Sequence, residues 1–170
     1  MRRAALLALA LLAGPVHAAT KHDASAPIDL DAATSDVEDK LGRVTFKGDV
    51  KVHQADLRLN SDQVKVYYKR KGGQPEIQRL DAAGHVKLDQ PDQHATADYG
   101  VYDVVNRLVT LIGNVVLTQK QSVVRGQRLL VNLDSGRSVL DGRTAGGGTQ
   151  GAPAQGGRVT GRFVVPQRKS

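Results

Sequence analysis

His53, His85 and His94, together with Asp89, Asp92 and Asp98, are the residues of this chain whose types first suggest chemistry. Imidazoles with carboxylates can bind metals or move protons. Their spacings match no metal signature, and the chain has no Cys to complete one. The three aspartates surround Pro91, a turn setting where Asp is common for backbone reasons. Ser61 and Ser122 lack the Gly-x-Ser-x-Gly context of an activated nucleophile, and there is no nucleotide-binding loop. These groups read as surface and turn residues, so the sequence implies no enzyme, no metal and no cofactor.

Two other kinds of chemistry remain, positive charge and apolar surface. The 170-residue chain carries a formal net charge of +7. Its densest basic region is Arg43, Lys47, Lys65, Lys69, Arg70 and Lys71, and Lys69-Arg70-Lys71 before Gly72-Gly73 reads as a basic hairpin tip. A basic balance favours an anionic partner. The compartment narrows the choice. Arg2 and Arg3 precede an Ala/Leu run from Ala4 to Ala13, then Gly14-Pro15 and Val16-His17-Ala18. That is the three-part pattern of a cleaved secretory leader, with cleavage expected after Ala18. An uncleaved anchor is the other reading, but the run is about half of the ~20 residues that span a bilayer. Export argues against nucleic acid as the partner and points to phosphorylated lipid or an acidic membrane surface. Without disulfides the exported part, roughly 150 residues, must be held by one core of its own.

The apolar residues that build this core alternate with polar ones from Ile28 to Leu140. Val50-Lys51-Val52-His53, Leu57-Arg58-Leu59-Asn60, Val86-Lys87-Leu88-Asp89 and Val115-Val116-Leu117-Thr118 are examples. Successive strand side chains point to opposite faces, so period two means one buried face. Thr34 to Lys40, with Asp36, Glu38 and Asp39, reads instead as a polar turn. Gly48-Asp49, Asn60-Ser61-Asp62, Gly84-His85, Pro91-Asp92, Gly113-Asn114 and Asp134-Ser135-Gly136 have turn or bulge chemistry. Gly48, Gly84, Gly113 and Gly142 sit in matched alternating flanks, 36, 29 and 29 residues apart. This is a period of stacked repeats that bury a face only together. The expected architecture is all-β and elongated, with many short strands and open sheet edges.

Within this pattern, Gly48-Asp49-Val50-Lys51-Val52-His53-Gln54 and Gly113-Asn114-Val115-Val116-Leu117-Thr118-Gln119 resemble the recurring Gly-Asn-Val-x-Val-x-Gln element of the OstA-like family. Pro27-Ile28-Asp29-Leu30 resembles the family's opening strand. His94-Ala95-Thr96-Ala97 with Tyr102-Asp103 resembles its middle repeat, and Arg158-Val159-Thr160 with Val164-Val165-Pro166 its last strand. The resemblance implies an antiparallel β-jelly-roll bent into a V, with an apolar slot between two sheets. It further implies a periplasmic carrier and bridge that holds the acyl chains of lipopolysaccharide and stacks head to tail. Its implied partners are lipopolysaccharide, further copies of itself, an inner-membrane-anchored OstA-like protein and the amino-terminal domain of an outer-membrane translocon. The Gly-rich stretch 145–157 departs from the family's short turn there, which leaves open whether the last strand pairs with its own sheet or with a neighbour.

On that resemblance the slot is expected to be lined by Ile28, Leu30, Phe46, Val50, Val52, Leu57, Leu59, Val64, Val66, Val86, Leu88, Tyr102, Val104, Val109, Leu111, Val115, Leu117, Leu129 and Val131. An ordinary closed core would show the same alternation. Lys69, Arg70 and Lys71 are either phosphate contacts or a solvated loop. The expected organisation is a leader (1–18), a flexible amino-terminus (19–27), a β-roll (28–144), a Gly-rich linker (145–157), a final strand (158–166) and a disordered tail (167–170). Two alternatives stay open: the inner-membrane-anchored relative, and a filament-forming β-repeat protein that binds no lipid. The anchored relative keeps its leader, so amino-terminal sequencing of the exported chain, expected to begin at Ala19, separates it from the carrier.

Overall fold

The computed structural model describes residues 22–142 and 158–162. The expected leader (1–18), linker (145–157) and tail (167–170), and the part of the final strand beyond Arg162, lie outside these residues. What is described is a single antiparallel sheet built as a meander. Its strands are β1 (Asp29–Asp31), β2 (Thr34–Glu38), β3 (Arg43–Gln54), β4 (Leu57–Lys71), β5 (Gln74–Gln90), β6 (Gln93–Asp103), β7 (Leu108–Gln119), β8 (Ser122–Asn132), β9 (Ser138–Asp141) and β10 (Thr160–Arg162). β3 to β8 pair in sequence order.

The short alternating runs of the sequence are halves of long strands. Each of the five pairings from β3·β4 to β7·β8 shifts register near its middle, between Lys47 and Val50 on β3, Asn60 and Gln63 on β4, Ala83 and Val86 on β5, Thr96 and Tyr99 on β6, and Ile112 and Val115 on β7. These bulges line up into one crease across the sheet. A bulge bends a strand sharply without ending its pairing. Gly48-Asp49, Gly84-His85 and Gly113-Asn114 each have positive φ at both residues. Glycine enters that region freely, and Asp, His and Asn enter it more readily than other side chains. Asp62 and Asp98 on the intervening strands accept from His85 Nδ1 (2.8 Å) and Asn114 Nδ2 (2.8 Å), tying one crease position to the next.

The crease divides the sheet into two arms. In the first arm β1 pairs with residues 51–53 of β3, and β10 with residues 123–125 of β8. In the second, β2 pairs with residues 43–47 of β3, and β9 with residues 128–131 of β8. So β1 and β2 are the two halves of one edge strand, broken at Ala32-Ala33. β9 and β10 pair with the two halves of β8 at the opposite edge. The described part of the final strand, Thr160–Arg162, therefore pairs with its own sheet. Thr34 to Glu38, expected as a polar turn, is strand β2. As an edge strand it is wet on both faces, with Val37 61% exposed, so it lacks the alternation of a half-buried strand. A turn of 3₁₀ helix, Asp39–Leu41, carries the chain from β2 to β3.

The inner faces of the two arms pack on each other. Val50, Val52, Leu57, Leu59, Val86 and Leu88 from the first arm join Val64, Val66, Leu80, Val109, Leu111 and Leu129 from the second in one continuous buried cluster. Where the arms meet at the crease the space is tight. A Cβ on Gly100 would come 3.1 Å from Leu111 and 3.3 Å from Val86.

The crease is expected to be the part least tolerant of side chains. Gly84 has φ +79, and a Cβ there would run into the Asp62 carboxylate. Gly84→Val is expected to cost about 2–4 kcal/mol in urea unfolding, from backbone strain and the steric clash together. Lys87→Val, three residues along on the outer face, should stay within about 0.5 kcal/mol of the parent.

Candidate functional site

The alternation that folds the sheet also fixes what faces inward. All nineteen residues expected to line the slot lie on the inner face. Fifteen are fully buried, and Ile28, Leu30, Phe46 and Val104 are half-buried and pack against the same cluster. Sequence reasoning missed Leu80, Ala82, Ala95, Ala97 and Leu133, which are equally buried. The alanines alternate in phase with Val86 and Leu88 across the ladder, but Ala is too weakly apolar to mark a face by itself. Between the arms this interior is closed: Val50, Val64, Val86, Val109, Leu111 and Leu129 are wholly inaccessible.

The open end of the V, opposite the crease, is polar. The first arm ends there in the turns 55–56, 91–92 and 120–121, and the second in the 39–42, 104–107 and 133–137 connections. Among the described residues, two side-chain hydrogen bonds cross from arm to arm at this mouth. Tyr102 OH donates to Gln54 Oε1 at 2.7 Å, and Ser138 Oγ donates to Gln93 Oε1 at 3.2 Å. Gln54 is 2% exposed. It continues the inward phase of Val50 and Val52, so its amide reaches the inner face and must be satisfied there. Burial pushes the Tyr102 phenol above its ordinary pKa; nearby Arg107 and the bond to Gln54 offset part of the rise. Arg107 pairs with Asp134 at 2.8 Å and so joins two neighbouring tips of the second arm.

A cleft of about 350 Å³ opens at the mouth between Gln90–Gln93 of one arm and Val131–Gly136 of the other, with His22 and Asp56 at one side. Residues 22–27, the described part of the expected amino-terminal segment 19–27, contact this mouth: Gln54 Nε2 donates to the carbonyls of Ala24 (3.1 Å) and Ala26 (2.9 Å), and His22 Nδ1 meets Asp56 Oδ1 at 2.5 Å.

The basic residues are placed differently from the apolar ones. Arg43, Lys47 and Lys65 alternate out of phase with Val44, Phe46, Val64 and Val66, so they stand on the outer face, away from the slot. Arg43 is paired with Glu38. Lys69, Arg70 and Lys71 form the exposed tip of the β4–β5 hairpin, and none of them lines the cleft. Arg70 is engaged with Asp39 at 2.6 Å, and Tyr68 OH donates to the same carboxylate oxygen. The bond from Tyr68, then Arg70, holds Asp39 below the ordinary carboxylate range. His85 and His94 each sit on an aspartate at the surface, Asp62 and Asp89, while Asp98 holds Asn114.

The family described as "LptA/(LptD N-terminal domain) LPS transport protein" matches residues 29–137. An uncharacterized protein of Rhizobium meliloti (strain 1021) is 31% identical over 121 residues, 68% of this chain and 65% of the relative's length. Lipopolysaccharide export system protein LptH of Pseudomonas aeruginosa is 26% identical over 145 residues, 81% of this chain and 80% of the relative. The crystal structure of that LptH, described as the LptA-homologous periplasmic component of the lipopolysaccharide transport device, superposes with a TM-score of 0.69. The superposition covers 85% of this chain and 99% of that one at 20% identity, and it shows a shared fold. The chain therefore belongs to the LptA/LptD N-terminal-domain family of lipopolysaccharide transport proteins, the OstA-like family to which its Gly-x-Val elements point.

Proposed function

We propose that this protein is a periplasmic carrier and bridge for lipopolysaccharide, holding the acyl chains of lipid A between the arms and stacking head to tail. The observation that carries the reading is the folded sheet itself, whose two inner faces form one continuous Val/Leu surface running from edge to edge. Acyl chains need such a dry, non-directional surface, worth about 25 cal/mol for each Å² taken from water. The arms are joined at the crease and bonded at the mouth, so cargo would enter by parting them and replacing apolar side chains as packing partners. Passage from one molecule to the next needs aligned slots. Energy must come from elsewhere, in this reading from an inner-membrane transporter, with an inner-membrane-anchored OstA-like protein and the translocon's amino-terminal domain at the two ends of the stack.

Stacking is supported by the edges. Among the described residues β1 and β2 pair only with β3, and β9 and β10 only with β8, so unpaired backbone lies at both ends of the sheet. Such edges pair with another chain when nothing covers them. The ends also differ in charge. Residues 22–39 hold Asp23, Asp29, Asp31, Asp36, Glu38 and Asp39 with no Lys or Arg. At the other end stand Arg125, Arg128, Arg137, Arg158 and Arg162, against Asp134 and Asp141. Opposite charge favours head-to-tail over head-to-head contact, and a head-to-tail contact does not close on itself.

Two experiments test these points. A photo-crosslinking amino acid at Leu88, 2% exposed on the inner face, is expected to give lipopolysaccharide adducts in cells, and one at exposed Lys87 is not. Adducts at neither site in a folded, filament-forming protein would move weight to the structural β-repeat alternative. For stacking, Asp29→Lys with Asp31→Lys and Asp36→Lys should weaken self-association in sedimentation by tenfold or more, as should Arg158→Glu with Arg162→Glu. Mixing the two variants should restore association, as stacks in which they alternate one to one. A strictly monomeric parent at every concentration would count against stacking.

A further inference from the structure

We infer that residues 22–27 form a strap across the mouth of the slot, latched by Gln54, which must leave its place before an acyl chain can enter. The inference rests on the carrier reading and adds a gate to it. Gln54 joins three parts of the molecule. From the end of β3 its Nε2 binds the Ala24 and Ala26 carbonyls, while its Oε1 accepts from Tyr102 on the opposite arm. The same side chain thus holds the strap down and the arms together.

The strap crosses the opening. On one side His22 bonds to Asp56 in the β3–β4 turn of the first arm. On the other, the cleft that His22 lines is walled by Val131–Gly136 of the second arm, and Asp23 adds a last, small contribution to the raised pKa of Arg107, which its partner Asp134 chiefly sets. His22 is 8% exposed, lines the mouth cleft, and leaves its buried Nε2 without a hydrogen-bond partner. A buried donor or acceptor left unpaired is a standing cost, and lifting the strap removes it by returning the ring to water.

The attachment is suited to release. The strap belongs to no strand, its own turn is closed locally by Ser25 and Ala26 on Asp23, and its described residues are small apart from His22. Segments held by a few side-chain bonds open far more often than the sheet beneath them. Lifting this one frees the Gln54 amide and leaves the Tyr102–Gln54 bond as the remaining cross-arm contact at that point of the mouth.

The chain has no Cys, so a designed thiol pair is unique. His22→Cys with Asp56→Cys, bridged by a short bis-methanethiosulfonate reagent that forms a disulfide with each thiol and releases methanesulfinate, fixes the strap in place; deletion of residues 19–26 removes it. Capture of fluorophore-labelled lipid A is then followed by stopped flow on the full exported chain, with circular dichroism as the folding control. The bridged protein should load at least tenfold more slowly and recover on reduction, and the deletion should load several-fold faster than the parent. Bridged protein loading at the parent rate would overturn the gate while leaving the carrier intact. A parent that captures no labelled lipid A would remove the carrier reading, and the gate with it.

Discussion

A sheet with one apolar face must cover that face, and here the sheet covers it with itself. No helix or second sheet is available among the described residues, so folding along a line of bulges buries the inner side chains. The line exists because β3, β5 and β7 each place a Gly-x pair at the same level, and because β4 and β6 present Asp62 and Asp98 to the next pair. If the bulges were out of step, each strand would bend at its own height and the arms could not close on one surface. The repeat is thus a repeat of position across the sheet, and its unit is a hairpin with one crease rather than a cluster of short strands.

This explains which parts of the fold were legible. The inner face was readable because Val50/Val52, Leu57/Leu59, Val86/Leu88 and Leu129/Val131 alternate with polar residues, and only a half-buried strand rewards that pattern. The Gly-Asp, Gly-His and Gly-Asn pairs were recognised as turn or bulge. Choosing between the two needed the partners of their flanks, because both conformations use the same positive-φ chemistry. β2 was misread because Thr34-Ser35-Asp36-Val37-Glu38 owes its strand state to backbone pairing with β3 and buries little. Residues 22–27 show only a local Asp23–Ser25 turn; their contacts with the sheet come from Gln54 and Asp56, about thirty residues away in sequence. Gln54 did carry a signal. It continues the phase of Val50 and Val52, and a polar residue in phase with a core is a candidate for a buried network.

The two ends of the molecule follow from the same construction. A meander folded on itself leaves its first and last strands uncovered, and natural sheets protect such edges with charge. Here the protection has opposite sign at the two ends, acidic at β1 and β2 and basic at β8 to β10. Like ends repel, which discourages unordered edge pairing, and in the proposed stack the attraction of unlike ends would favour a single direction. Residues 138–141 and 160–162, on either side of the Gly-rich stretch in sequence, both keep their register with β8.

The closed state of the interior bears on how such a molecule could carry lipid. An open, empty slot would expose two Val/Leu faces to water, and at about 25 cal/mol per Å² that exposure is costly. Closed arms avoid it. An acyl chain that slides between the arms replaces one apolar neighbour by another, so each inner residue stays dry in both states and the difference between empty and loaded is small per residue. What distinguishes the states is the polar mouth, where Tyr102–Gln54 and Ser138–Gln93 join the arms. Hydrogen bonds there contribute only about 1 kcal/mol each net of water. In the proposed carrier the apolar core would select for hydrocarbon, while a few exchangeable bonds at the rim would decide whether the arms are open, so cargo could be passed on without a large barrier at any inner residue.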